Sequence, residues 1–180
     1  MNLANVVTSV RLFFLPIFIY LVWNYHTGCE YFRIIAFWIA VASFISDGLD
    51  GFLARRKGWR TKFGTFLDPF CDKLLLDFSF LILILKPEFR EPLNLPLWVV
   101  VVVILRDFLL GVGTLILHIK GKLDIRPSYL GKTAVVFQMF SILSALLYMP
   151  FTSALWMFTG LLTLVASVNY LYREYPKFRA

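Results

Sequence analysis

Asp47-Gly48-Leu49-Asp50-Gly51-Phe52-Leu53-Ala54-Arg55, then eight residues, then Gly64-Thr65-Phe66-Leu67-Asp68-Pro69-Phe70-Cys71-Asp72 is the stretch that decides the fold. An apolar run from Ile34 leads into its first half, and another from Phe70 to Leu85 leads out of its second. An ionisable side chain at membrane depth costs roughly 2.5–3.5 kcal/mol on insertion scales. Four such groups cost on the order of 10 kcal/mol, comparable to the net stability of a typical fold. Packing cannot justify that placement, whereas a site that holds cations does.

The rest of the chain agrees with a membrane setting. Of its 180 residues, 59% are hydrophobic, and the mean hydropathy is +0.75. Soluble domains average about 45–50% apolar residues. The length suits one domain, residues 1–180. Runs of the kind that span a bilayer need about 20 residues, and six are visible: Val10–Trp23, Ile34–Ala54, Phe70–Leu85, Leu97–His118, Ala134–Tyr148 and Leu155–Leu171. Pro87, Pro92 and Pro96 separate the third from the fourth, Pro127 precedes the fifth, and Met149-Pro150 follows it. The expected fold is therefore all-α, a polytopic membrane protein with six transmembrane helices. Before the first run, Met1–Arg11 carries Asn2, Asn5, Thr8 and Arg11 among apolar residues. It fits either a stretch lying in the membrane interface or a plain extension of the first span. No small-residue cleavage site follows the first run, so the N-terminus is expected to be retained.

The net charge of +7 does not point to nucleic acid, because the basic residues sit in loops between apolar runs. Arg55, Arg56, Lys57, Arg60 and Lys62 follow the second run with no acid among them. Lys120, Lys122, Arg126 and Lys132 follow the fourth against Asp124, and Arg173, Lys177 and Arg179 lie in the tail. The loops after the first and third runs are nearly balanced, with Arg33 against Glu30, and Lys86 and Arg90 against Glu88 and Glu91. The positive-inside rule then puts both termini and both basic loops in the cytoplasm. The four motif carboxylates fall at the cytoplasmic ends of the second and third helices. Cys29 and Cys71 fall on opposite sides of this topology, which argues against a disulfide.

Asp47 and Asp50 are three apart and Asp68 and Asp72 four apart, so each pair shares a helical face. Carboxylate oxygens suit hard cations such as Mg²⁺, Mn²⁺ or Ca²⁺. Four of them suggest two ions roughly 3.5–4 Å apart, or one ion and a free base. Gly48, Gly51, Ala54 and Gly64 are small, which suits close approach of a ligand or of a neighbouring helix. Arg55 is a ready fork for phosphate oxygens. Arg56, Lys57 and Lys62 fit a solvated face, Lys73 an interfacial side chain reaching toward water, and Cys71 a small filler.

The pattern D-x-x-D-G-x-x-A-R-x8-G-x-x-x-D-x-x-x-D resembles the signature of the CDP-alcohol phosphotransferases, and every specified position is met. The opening Asn2-Leu3-Ala4-Asn5, with Thr8, Arg11 and Pro16, is similar to the bacterial phosphatidylglycerophosphate synthase branch, although Ala4 stands where a Pro is common. Gly131-Lys132 with Gln138 resembles the same branch. The resemblance implies that Asp47, Asp50 and Asp68 bind metal, that Asp72 binds metal and acts as general base, and that Gly51, Ala54, Arg55 and Gly64 contact the CDP moiety. It implies two divalent ions, Mg²⁺ or Mn²⁺, a homodimer, and a place in the inner (cytoplasmic) membrane with the active site facing the cytoplasm. The implied reaction passes the phosphatidyl group of CDP-diacylglycerol to an alcohol and releases CMP.

The acceptor is read outside the signature. Glycerol 3-phosphate needs a second basic pocket, for which Arg106, Arg126 and Lys132 are candidates. Arg106 fits equally a pairing with Asp107 or Asp77, as intramembrane charges usually pair. After Arg106-Asp107 come Phe108, Leu109, Leu110, Gly111, Val112 and Gly113. Phosphatidylglycerophosphate synthases often show Arg-Glu here and a further Arg one or two turns on, and the departure from that pattern resembles the cardiolipin synthases, whose acceptor is phosphatidylglycerol. Glycerol 3-phosphate is the leading expectation. A cation-binding transporter or scaffold is the alternative from another class, disfavoured because the acids lie toward one face only.

Overall fold

The computed structural model describes residues 3–57, 64–119 and 129–179, with side chains described for 13–46, 73–113 and 129–173. Among the described residues seven helices follow one another: α1 (Leu3–Trp23), α2 (Glu30–Lys57), α3 (Gly64–Leu85), α4 (Pro87–Leu93), α5 (Leu97–Ile119), α6 (Tyr129–Leu146) and α7 (Thr152–Arg179). Among the described residues there is no strand. Six of the helices grow from the six apolar runs. The first begins at Leu3 and continues unbroken past Pro16, so Leu3–Arg11 extends the helix of the first run.

The short α4 is the addition. Pro87 sits at its first turn, where a missing N–H costs nothing. Asn94 ends it in the left-handed region at φ 46°, and Leu95 N–H donates back to the Arg90 carbonyl at 3.1 Å. The chain then bends by 115° between α4 and α5. Gly28, at φ +118°, makes the turn between α1 and α2 in a conformation that side-chain-bearing residues rarely adopt.

α1 packs on both α2 and α3, α7 packs on α6 and α5, and α3 joins the two groups through α5 and α6. The shared core holds Phe18, Val22, Ala36, Ala40, Phe80, Leu83, Ile142 and Trp156, all fully buried. The Phe80 and Trp156 rings meet at 4.7 Å. Gly160 lets α7 approach α5, because a Cβ there would stand 2.6 Å from the Trp98 ring. The outer surface is apolar too: Phe13, Trp38, Phe108, Phe140, Leu161 and Val168 are 55–73% exposed. Such a surface fits lipid rather than water. Among the described residues, Tyr129–Leu146 and Thr152–Arg173 are each long and apolar enough to cross a membrane, and the bent α4–α5 pair meets the same measure as a unit.

Candidate active site

The signature positions lie on two helices. Positions 47, 50, 51, 54 and 55 belong to the last turns of α2, and 64, 68 and 72 to the first turns of α3. The helical spacing expected of both carboxylate pairs is thus present in the backbone. The side chains of Asp47, Asp50, Gly51, Ala54, Arg55, Gly64, Asp68, Asp72 and Cys71 lie outside the described ones, and Arg126 lies outside the described residues altogether. The donor set itself fits a hard divalent cation, being four carboxylates and nothing softer. No group of three or more metal-binding side chains occurs among the described residues.

A charged group begins at Lys73, one residue beyond Asp72. Lys73 Nζ lies 2.7 Å from Asp107 Oδ1, which joins α3 to α5. Arg106 Nη1 donates to the same oxygen at 2.9 Å, and Arg106 Nη2 reaches the Gly131 carbonyl on α6 at 3.4 Å. Asp77, one helical turn beyond Lys73, has Asp107, Lys73 and Arg106 as its electrostatic neighbours. Two acids therefore face two bases inside the bundle. The Asp107 side chain is only 2% exposed and that of Arg106 6%. Asp107 Oδ2 and Asp77 Oδ1 are buried without a hydrogen-bond partner.

This arrangement changes one expectation and decides part of another. Lys73 does not reach out toward water; its ammonium turns inward onto Asp107, because a buried carboxylate needs a cation close by. Arg106 does pair with Asp107. It also stands beside the residue that precedes Lys132, so two of the three candidate acceptor contacts come from adjoining parts of α5 and α6. Lys132 Nζ lies 5.9 Å from the centre of the Tyr129 ring. The link between Lys73 and Asp107 has one sequence signal, a Lys next to a motif acid, and by itself that signal fits an interfacial side chain better.

Side-chain contacts tie the other end of the bundle together. Arg33 donates to Glu30 at 2.7 Å and to the Leu146 carbonyl at 2.8 Å, and its guanidinium lies over the Tyr148 ring at 4.9 Å. Tyr148 donates to the Glu88 carbonyl at 2.6 Å, and Lys86 to the Tyr25 carbonyl at 3.1 Å. Burial, then the hydrogen bond with Tyr25, raises the Tyr148 hydroxyl above its ordinary range, so it stays a donor. A cavity of about 520 Å³ lies here, lined in part by Tyr25, Glu30, Arg33, Glu88 and Tyr148. Along α2, position 50 is about 25 Å from Arg33 at 1.5 Å per residue, so this cavity is remote from the signature. Cys29, near the same end, is a free thiol.

Comparison with known proteins bears on the signature. The family model described as CDP-alcohol phosphatidyltransferase matches residues 1–168. A probable phosphatidylglycerophosphate synthase of Mycobacterium tuberculosis (strain ATCC 25618 / H37Rv) is 31% identical over 96% of this chain and 81% of its own. The CDP-diacylglycerol–glycerol-3-phosphate 3-phosphatidyltransferase of Bacillus subtilis (strain 168) is 31% identical over 92% of this chain and 87% of its own. A probable cardiolipin synthase (CMP-forming) of Drosophila melanogaster is 32% identical over 75% of this chain and 48% of its own. A match that runs through the signature and nearly the whole bundle makes the chain a member of the CDP-alcohol phosphatidyltransferase family, a transferase of the membrane.

Proposed function

We propose that the protein transfers the phosphatidyl group of CDP-diacylglycerol to glycerol 3-phosphate, forming phosphatidylglycerophosphate and releasing CMP. The observation that carries this is the near-full-length similarity to proteins named for that reaction, with every signature position intact. In the proposed topology six helices span the inner membrane, both termini face the cytoplasm, and the protein acts as a homodimer. The basic loops after α2 and α5 support that orientation. A cytoplasmic site also lets a charged nucleotide leave into water while the acyl chains stay in the bilayer.

Divalent cations, Mg²⁺ or Mn²⁺ and two in number, would be held by Asp47, Asp50, Asp68 and Asp72 and would offset the negative charge of the pyrophosphate. Arg55 presents a planar fork to a phosphate of the CDP moiety, and Gly51, Ala54 and Gly64 keep the approach clear. Asp72 takes the proton of the acceptor hydroxyl. The acceptor oxygen then bonds to the lipid-bearing phosphorus, the bond from that phosphorus to the CMP oxygen breaks, and CMP leaves with the electron pair. Arg106, Arg126 and Lys132 would hold the acceptor's own phosphate.

Phosphatidylglycerol is the second acceptor to consider, because of the cardiolipin synthase similarity and the apolar sequence after Asp107. The test is incubation of purified protein with CDP-diacylglycerol, Mg²⁺ or Mn²⁺, and either acceptor alone. CMP release with glycerol 3-phosphate, lost on chelation, is the expected result. Release with phosphatidylglycerol alone would assign the second acceptor, and no release with either would remove the transferase reading.

A further inference from the structure

We propose that Asp107 is a positioning residue for the transfer: its carboxylate fixes the reacting end of α3 against the acceptor side of α5 and α6. Three observations carry it. Lys73 directly follows Asp72 in the sequence, so whatever holds Lys73 restrains the helix turn that carries the general base. Lys73 and Arg106 converge on one oxygen of Asp107, at 2.7 and 2.9 Å. Arg106 extends the connection to the Gly131 carbonyl, immediately before Lys132. One carboxylate that is 2% exposed thus joins the helix of the proposed base to Arg106, and through Arg106 to the backbone next to Lys132.

Stability alone does not account for the group. Exchanging a buried ion pair for packed apolar residues of similar size is often neutral or stabilising. The nearby seam between α6 and α7 joins its helices with uncharged partners. In the charged group, moreover, Asp107 Oδ2 and Asp77 Oδ1 remain without partners. What a short, doubly used ionic contact adds over apolar packing is a defined distance. A misplacement of about 1 Å between reacting groups can cost on the order of a hundredfold in rate.

The inference rests on the transferase reading above, and its test separates the two. The double variant Lys73→Met, Asp107→Leu removes one charge of each sign and leaves Arg106 facing Asp77. Thermal unfolding, kcat, the KM for CDP-diacylglycerol and the metal titration midpoint are measured on purified protein with whichever acceptor the unaltered enzyme uses. The expected result is an unfolding temperature at or above that of the unaltered protein, a kcat lower by about ten- to a hundredfold, and little change in the CDP-diacylglycerol KM or the metal midpoint. Full kcat in a folded double variant overturns the proposal. If that variant does not fold, Asp107→Glu decides: it keeps the charge but lengthens the link, and kcat should fall while the metal midpoint holds. An unchanged kcat in Asp107→Glu overturns the proposal equally. Failure of the transferase reading would show instead as no CMP release from the unaltered protein.

Discussion

Among the described residues, two polar regions inside the bundle are made of different material. Between α6 and α7 the polar groups are neutral. Ser141 and Thr159 hydroxyls meet at 2.8 Å, Gln138 donates to Thr163 at 3.3 Å, and the Trp156 indole N–H donates to the Ser141 carbonyl at 3.0 Å. Between α3 and α5 the polar groups are ionic: Lys73, Asp77, Arg106 and Asp107. Hydroxyls close to backbone carbonyls bind membrane helices together at little desolvation cost. Ionic groups in the same setting are expensive and usually mark function. The difference fits the proposed division, in which the α6–α7 seam serves assembly and the α3–α5 side serves the transfer.

The comparison breaks if the largest losses of activity do not fall on the α3 side. Asp72→Asn keeps the shape of the side chain but removes the proposed proton acceptor, so turnover should fall about 10²–10⁴-fold with CDP-diacylglycerol binding largely kept. Near-normal turnover would remove Asp72 as the base. Gly160→Val sharpens the other half. Its Cβ would meet Trp98 at 2.6 Å and Val99 Cγ2 at 2.8 Å, and overpacking of this kind costs about 1–3 kcal/mol. The unfolding temperature should drop while the rate per folded molecule stays close to normal. Ser141→Ala should do less, because interhelical hydrogen bonds in membranes average about 0.6 kcal/mol. A loss of activity without loss of stability in Ser141→Ala would give the seam a role in chemistry.

The smallest effect belongs to the far end. Tyr148 has its hydroxyl raised above the ordinary value by burial, so the folded state favours the protonated form. Its contribution to stability is fully present below the unfolded value of about 10 and is lost as pH rises beyond it. Thermal stability should therefore show no step from Tyr148 between pH 6 and roughly 9. A step in that range that disappears in Tyr148→Phe would contradict the assignment.

The helical course was legible because a long apolar helix announces itself by length and apolarity. The helix-end details were not. α6 starts at Tyr129 rather than Ala134, since Gly131, Lys132 and Thr133 interrupt the apolar pattern but not the helix. α2 runs on through Arg55, Arg56 and Lys57 for the same reason. α4 was hidden because Pro87 and Pro92 read as breaks, whereas a proline in the first turn begins a helix. The signature was readable from fixed spacing along the chain. The contact of Lys73 with Asp107 was not, because 34 residues separate the partners and only packing of α3 on α5 brings them together.

The most direct test of the account supplies both acceptors at once. Purified protein in vesicles would receive CDP-diacylglycerol, glycerol 3-phosphate, phosphatidylglycerol and Mg²⁺ or Mn²⁺, and the lipid products would be identified by mass alongside the CMP released. The account predicts phosphatidylglycerophosphate as the main product, formed in equal amount with CMP and abolished by chelation. Cardiolipin as the sole product, or CMP release unaffected by chelation, would contradict it.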